Sequence, residues 1–537
     1  MTLRDEDNGP VAVSPELQRE ITRQEARIEQ YGGDDIKPPQ EKPAAPPAAD
    51  PNMVTWDGPD DPLNPQSWSE RRRWMITAVC SLMTVNVTFA SSAPTSATLA
   101  IANDLEVSRE VAYLITTTFL LGYATGPLFW GPGSELVGRR PIFMVTMTLY
   151  TLFILGQSLA PNIETMLVTR FFSGFFAVAP LTNCGGVIAD IWSAAIRGKA
   201  VSLFTACVFL GPTIAPIASG FITESYLGWR WVFWIMFIFA GACTILMFLT
   251  LPETYAPVLL AKKARRLRKS DPARYVDLYA EHDRQDWSLM GVIRRTLFRP
   301  FQMLFVEPIL ALVTLYLSLV YGVLYGMFGA IPVIFEQLRG FSISQNGLIF
   351  IGIGLGTSLG ALTNYLLSRH YPALIIRWRG FPPAEERLLG GMVGAPLLVV
   401  GIFWLGWAGN YPSVHWAVPA VATVAIGMAI SLIFMSFLSY LVDTYLAYSA
   451  SALSANTVIR SAVAAAFPLF IVQMFQQLTV KWAATLLGLI GLLLAPSPFL
   501  FYRYGAAIRG RSTYAPCLDL KIAKELAAEK AAGIEKV

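Results

Sequence analysis

Two arginines lie in the middle of apolar runs, where a charge is costly: Arg170 in MLVTRFFSGFF and Arg460 in SANTVIRSAVAAAF. A guanidinium keeps its proton, so at such a depth it must face a polar interior rather than lipid. There it can hold an anion, set the field for a proton, or tie helices together by hydrogen bonds. Asn456 precedes Arg460 by one helical turn and shares its face. That face reads as the lining of a cavity or as a helix contact. Tyr321 and Tyr325 are one turn apart in another run, and Phe328 continues their side. Such rings stack on planar molecules or cations, and they serve equally well as packing. Asn86 adds a polar group inside the first run, for a ligand or for a neighbouring helix.

The carboxylates are placed differently. Asp190, Glu307 and Asp443 fall near the ends of runs, and none lies deep in one. A polycation would want a buried acid partner. Two deep arginines favour neutral, amphiphilic or anionic molecules instead. No nucleophile, phosphate-loop or metal-ligand pattern accompanies them, and the three histidines (His282, His370, His415) are scattered. An enzyme, a bound cofactor, a metal and a nucleic-acid partner are therefore not expected. The five cysteines show no pairing pattern and read as small packing residues.

A second charged constellation is compact. GPGSELVGRRP, residues 131–141, sits directly between two apolar runs. It reads as a tight turn, with Gly131 and Gly138 permitting the backbone. Arg139 and Arg140 hold it at an interface, and Glu135 offers them or a helix N-terminus an acidic partner. Asp190 and Arg197 flank the loop two runs later and are close enough in sequence to join the same cluster. A cluster that must break and re-form is a reasonable latch between two helix arrangements. The plainer reading is a basic anchor on a solvated loop.

These residues need helices to hold them. The chain has 537 residues, 54% hydrophobic and only 15% charged, with mean hydropathy +0.48. A soluble domain carries about 25% charged residues, so this is an integral membrane protein. Apolar runs near 74–95, 110–131, 142–160, 164–189, 199–222 and 230–251 make one set of six. Runs near 303–327, 344–367, 388–408, 415–441, 449–476 and 481–502 make another. Each suffices for a spanning helix of roughly 20 residues. The expected fold is all-α and polytopic, with twelve transmembrane helices in two halves, 71–251 and 301–505. A polar stretch, 252–300, joins them. Residues 1–70, polar and proline-rich, are expected to be a disordered tail, and 506–537 a second polar tail.

Lysines and arginines follow every even-numbered span except the tenth, including KKARRLRK at 262–269. The positive-inside rule then places both termini and the central stretch in the cytosol. The 262–269 cluster is a topology signal, with contact to anionic lipid as the alternative.

Two six-helix halves point to a secondary transporter, with its substrate site between them. The motifs sharpen this. GPGSELVGRRP resembles the loop signature of the major facilitator superfamily, with Glu135 in place of the usual aspartate. Arg170-Phe-Phe-Ser-Gly174 resembles its fourth-helix motif. Gly211-Pro212 through Pro216 to Gly220 resembles the fifth-helix antiporter motif, although Ala215 and Pro216 depart from its usual glycines. LPETY (251–255), WDGPDDPLNPQSW (56–68) and SANTVIRSAVAAAFPLF (454–470) resemble fungal drug:proton antiporters, with the polyamine and multidrug branch nearest. The resemblance covers about 56–505. It implies a proton-coupled exporter of small organic molecules, with Arg170 in proton coupling. It also implies that the Pro212–Pro216–Gly220 face guards against a proton leak.

The expected protein is thus a plasma-membrane antiporter, with a vacuolar one as the variant. It works as a monomer on drugs, toxins or secondary metabolites. Polyamines or a small organic acid are the alternative cargo, and a non-transporting sensor is the reading from another class.

Overall fold

The computed structural model describes residues 52–523 apart from 59–60, 193, 272–276, 285–287 and 379. Among these residues every extended regular element is a helix. Eleven helices are long and apolar enough to cross a membrane. The twelfth crossing is a bent pair, Arg109–Thr125 and Pro127–Val137, at 42°. The bend falls where Pro127 lacks an N–H and where Gly126 meets the fourth span. Helices answer the requirement that a spanning backbone satisfy its own polar groups.

The first half comprises Glu70–Ser92, the bent second span, Arg139–Ser158, Ile163–Ile191, Ala194–Glu224 and Arg230–Thr250. The second half runs from Pro308–Pro332 through Ile343–Leu348 with Phe350–Leu367, Leu389–Gly409, Ala417–Tyr445 and Ser449–Gln477. It ends in a twelfth span broken at Pro496, Thr479–Leu494 with Ser497–Arg509. The halves meet along two seams: the second span on the eleventh, and the fifth on the eighth. The ends carrying Arg139, Arg387 and Arg509 form one face of the bundle, called here the basic end; Glu224 and Ser342 lie at the far end.

Four sequence expectations change. Residues 131–137 are helical, not a turn: Pro127–Val137 continues past Pro132, and the reversal is confined to Gly138 at φ 108°. The helix persists because Pro132 forfeits one internal hydrogen bond only, and Gly138 alone takes a backbone region closed to other residues. The seventh span starts at Pro308 rather than near 303. Arg299–Val306 is a separate short helix with Phe305 exposed, because Pro308 prevents Glu307 from continuing it.

Residues 52–57 and Asp61, expected within a disordered tail, dock onto the central stretch. Met53 bridges Tyr279, Val54 packs with Ala261, Ala264 and Ala280, and Lys263 binds Asp57 at 2.7 Å and Asp61 at 3.3 Å. The tail up to residue 50 lies outside the described residues. The basic cluster 262–269 is likewise not a loop: it belongs to a helix, Ala256–Ser270, and Arg265 and Arg268 reach Asp283 at 3.7 Å.

Candidate functional site

The middle of the bundle holds a group of polar and aromatic side chains contributed by both halves, called here the chamber. Arg170 is two turns into the fourth span and fully buried. Its Nε donates to the Ile115 carbonyl and its Nη1 to the Ala90 carbonyl, both at 3.0 Å. The guanidinium lies 4.3 Å from the centre of the Phe119 ring. Its Nη2 is buried with no hydrogen-bond partner among the described residues. The nearest ionisable groups in its field are the phenols of Tyr150, Tyr123 and Tyr325. Tyr123 donates to the Val87 carbonyl at 2.8 Å, and Tyr150 to the Asn86 carbonyl at 3.5 Å. The Asn86 side chain is buried in this wall, its Oδ1 without a donor.

The second half supplies the opposite wall. Tyr325 donates to Ser91 Oγ of the first half at 2.9 Å, a direct bond across the interface. Tyr321 and Tyr325 sit edge to face, 5.0 Å between centres, and Phe328 continues the row to Phe350. Arg460 lies 5.3 Å from the Tyr321 ring and 5.2 Å from Phe434. Its Nε and Nη1 are buried and have no hydrogen-bond partner among the described residues. Asn456, one turn away, is turned toward the seventh span and donates to Thr314 Oγ1 at 3.2 Å. Arg170, Asn86, Tyr321, Tyr325 and Arg460 therefore gather at one level, while Asn456 joins two helices beneath them.

Beside this chamber a narrow apolar pocket is lined by Phe209, Pro212, Leu324, Phe328, Phe350 and Ile353, among others. The fifth span thus turns its proline face to the other half. The Pro216 carbonyl lies where a side chain at Gly347 would begin, and Gly220 sits against the Ile343 carbonyl. Gly211 points the other way, into the first span at Val85–Phe89. At the far end Glu224 accepts from Ser342 Oγ at 3.1 Å and from the Ser344 N–H at 2.9 Å. Thr117 donates to the Ala465 carbonyl at 2.8 Å along the other seam. The hydrogen bonds described between the two helical halves lie at the centre and at this far end.

The basic end holds the charged cluster. Arg139 donates from Nη1 to Ser134 Oγ at 2.6 Å and from Nε to Asp190 at 3.4 Å. It also covers the Tyr255 ring at 4.9 Å. Glu253 accepts the backbone N–H groups of Arg139 and Arg140 at 2.9 and 3.2 Å, so its charge sits at the N-terminus of the third span. Gly138 leaves no room for a side chain against that carboxylate. Glu135 is half-buried one turn before Arg139, Arg140 is exposed, and no neighbour approaches the Cβ direction of Gly131. The side chain of Arg197 lies outside the described residues.

Known proteins place this architecture. The family model described as Major Facilitator Superfamily matches residues 74–468. The chain belongs to the Major Facilitator Superfamily. It is 42% identical over 490 residues to a citrinin biosynthesis cluster MFS transporter of Monascus ruber, covering 90% of this chain and 97% of the relative. It is 41% identical over 483 residues to an MFS-type efflux pump of Trichophyton rubrum, at 90% and 80% coverage. The solved proton:xylose symporter XylE superposes with a TM-score of 0.58 at 16% identity, covering 81% of this chain and 96% of that one; at that identity it speaks for the fold alone. This superfamily member is a multi-pass membrane protein and an efflux transporter.

Sequence reasoning missed several residues of the site. Tyr123, Tyr150 and Phe434 carried no motif; their only signal was a ring inside an aliphatic span. Glu253 was visible within LPETY, but nothing local tied it to a helix start 114 residues earlier.

Proposed function

We propose that the transporter couples export of small organic molecules, such as drugs, toxins or secondary metabolites, to protons moving inward. It works as a monomer in the plasma membrane and catalyses no covalent step. The basic end and both termini face the cytosol, in line with the loop charges. The observation that carries this reading is the central chamber: the buried Arg170, the half-buried Arg460 and four tyrosines contributed by both halves, bridged by the Tyr325–Ser91 bond. A site shared by two rigid halves is what alternating access requires.

Cargo enters from the basic end while the far end stays closed by Glu224, Gly220 and the Pro216–Gly347 contact. Arg139, Asp190, Glu135 and Gly138 form the latch that holds the basic end in one of its two arrangements. Asp190 and Glu135 are the groups there that can take a proton. Protonating Asp190 would release Arg139 from a bridge that is already long, at 3.4 Å. Arg170 stays charged throughout and sets the field felt by the chamber. The Pro212–Gly220 face seals the fifth–eighth seam against water and protons.

The test is efflux from yeast lacking its main exporters. Cells are loaded with a lipophilic drug, a labelled polyamine or a dicarboxylic acid, with and without a protonophore. Protonophore-sensitive loss of the drug is expected. No export of any cargo, with the protein confirmed at the cell surface, overturns the reading.

A further inference from the structure

Charge in the chamber is one-sided. Every Asp and Glu of the spanning helices sits at a helix end, and the groups in the field of Arg460 are the phenols of Tyr321 and Tyr325. Arg170 has its cost partly met by two carbonyl oxygens. Arg460 has no such help: its described neighbours are the faces of Tyr321 and Phe434, and Nε and Nη1 meet no acceptor. Arg460 is half-buried, and a cation whose Nε and Nη1 are shut away from water is retained at a cost unless something else balances it. Its two free donors lie on different edges of the guanidinium, and each can give one charge-assisted hydrogen bond to an anionic oxygen. Aromatic surface begins at once beside them. Phe434 meets Tyr321 at 5.7 Å and Phe209 at 5.9 Å, and Phe209 leads into the pocket bounded by Phe328 and Phe350.

We propose that the chamber takes a planar aromatic monoanion, its carboxylate or enolate held by Arg460 and its ring system laid against Tyr321, Phe434 and Phe209. The proposal rests on the export reading above and narrows its cargo. Arg170 is the positioning charge: it raises the potential of the chamber from the opposite wall while its own bonds fix the fourth span to the first and second. A cationic drug or a polyamine meets two guanidinium groups and no carboxylate, so the same site rejects it. An exported anion also leaves down the usual inside-negative potential.

Purified full-length protein in nanodiscs tests this with three probes of one ring size: 1-naphthoate, 1-naphthamide and 1-naphthylmethylammonium. Calorimetry is expected to show naphthoate binding at least tenfold tighter than the amide, with the ammonium weakest. Arg460→Gln should bring the acid down to the level of the amide, and Arg460→Lys should restore part of the preference. The wild-type comparison needs no variant, so a poorly folding mutant does not blunt it. Equal binding of acid and amide, or tighter binding of the ammonium, overturns the proposal. The same probes in the yeast efflux assay separate the two readings. Export of amide and acid alike removes only the charge selection, whereas export of neither probe nor of any panel drug removes the transport reading itself.

Discussion

The two halves solve the same problem at the basic end in different ways. In the first, Arg139 opens the third span and meets Asp190 near the end of the fourth, at 3.4 Å with side chains 11% and 18% exposed. In the second, Arg387 precedes the ninth span and meets Asp443 near the end of the tenth, at 2.7 Å. Tyr371 donates to the same carboxylate at 2.6 Å and lies flat against the guanidinium at 3.4 Å. Behind this pair Arg509 binds Glu385 and Asp519 through four hydrogen bonds of 2.7 to 2.9 Å. Residues 512–514 then fold back onto Glu307, which accepts from Ser512 Oγ and from the N–H groups of Thr513 and Tyr514. One cluster is lean and its bridge is long. In the other, Arg387 and Asp443 are more exposed, at 29% and 23%, but their bridge is short, and it is backed by the buried Arg509 hub and strapped by residues 512–514. The proposed latch has to be breakable, and the lean first cluster suits that better than the second, whose many bonds tie its helix ends together.

The sharpest way to break this comparison is to remove the hub of the rigid cluster. Arg509→Ala leaves two carboxylates facing each other in a buried site, a loss of about 3–5 kcal/mol. The full-length protein should accumulate poorly and unfold at markedly lower temperature in detergent. Arg139→Ala should behave differently, with near-normal insertion and melting but efflux slowed by roughly tenfold, the equivalent of about 1.4 kcal/mol. Glu135→Gln should share that profile. If Arg139→Ala lowers the melting temperature as far as Arg509→Ala, the division into a switch and a fixed body is wrong.

A smaller effect sharpens the account of the switch. Glu253→Gln keeps the shape but removes the charge at the N-terminus of the third span. That costs about 0.3–1 kcal/mol, enough to shift the balance between the two arrangements and change efflux a few-fold without affecting surface expression. Unchanged efflux would remove Glu253 from the latch.

The smallest effect concerns the docked tail. The backbone N–H groups of Leu63 and Asp57 hold the Asp61 carboxyl below its usual range, with Lys263 adding to them. A lowered value in the folded state means the docking is favoured above the ordinary carboxylate range and fades as pH falls below about 4. Limited proteolysis between residues 55 and 65 should therefore be slow at neutral pH and faster at pH 3.5. Asp61→Asn should be cut quickly at both.

The apolar runs announced the spans because lipid demands long uninterrupted helices; the seventh span starts later than its run, at Pro308, and the second and twelfth continue past the expected ends to Val137 and Arg509. Gly131–Val137 was misread because glycine and proline in water mark turns; flanked by tightly packed spans, one proline costs a single hydrogen bond and the helix runs on to Gly138. Arg170 and Arg460 were legible because charge inside an apolar run has few explanations. The rigid cluster was not, since Arg387 and Asp443 are 56 residues apart and Arg509 and Glu385 are 124 apart. Each looks like an ordinary helix-end charge until the fold brings the ends together. Asn456 looked like a neighbour of Arg460 on one face, yet Thr314 on the adjoining helix captures it.

Coupling is the central claim, and reconstitution tests it most directly. Full-length protein is placed in proteoliposomes with a pH dye inside and the membrane potential clamped at zero. Adding a transported substrate should drive proton movement opposite to the substrate, and Arg170→Gln should abolish that movement while the protein still inserts. Substrate crossing the wild-type membrane with no accompanying proton flux would contradict the account.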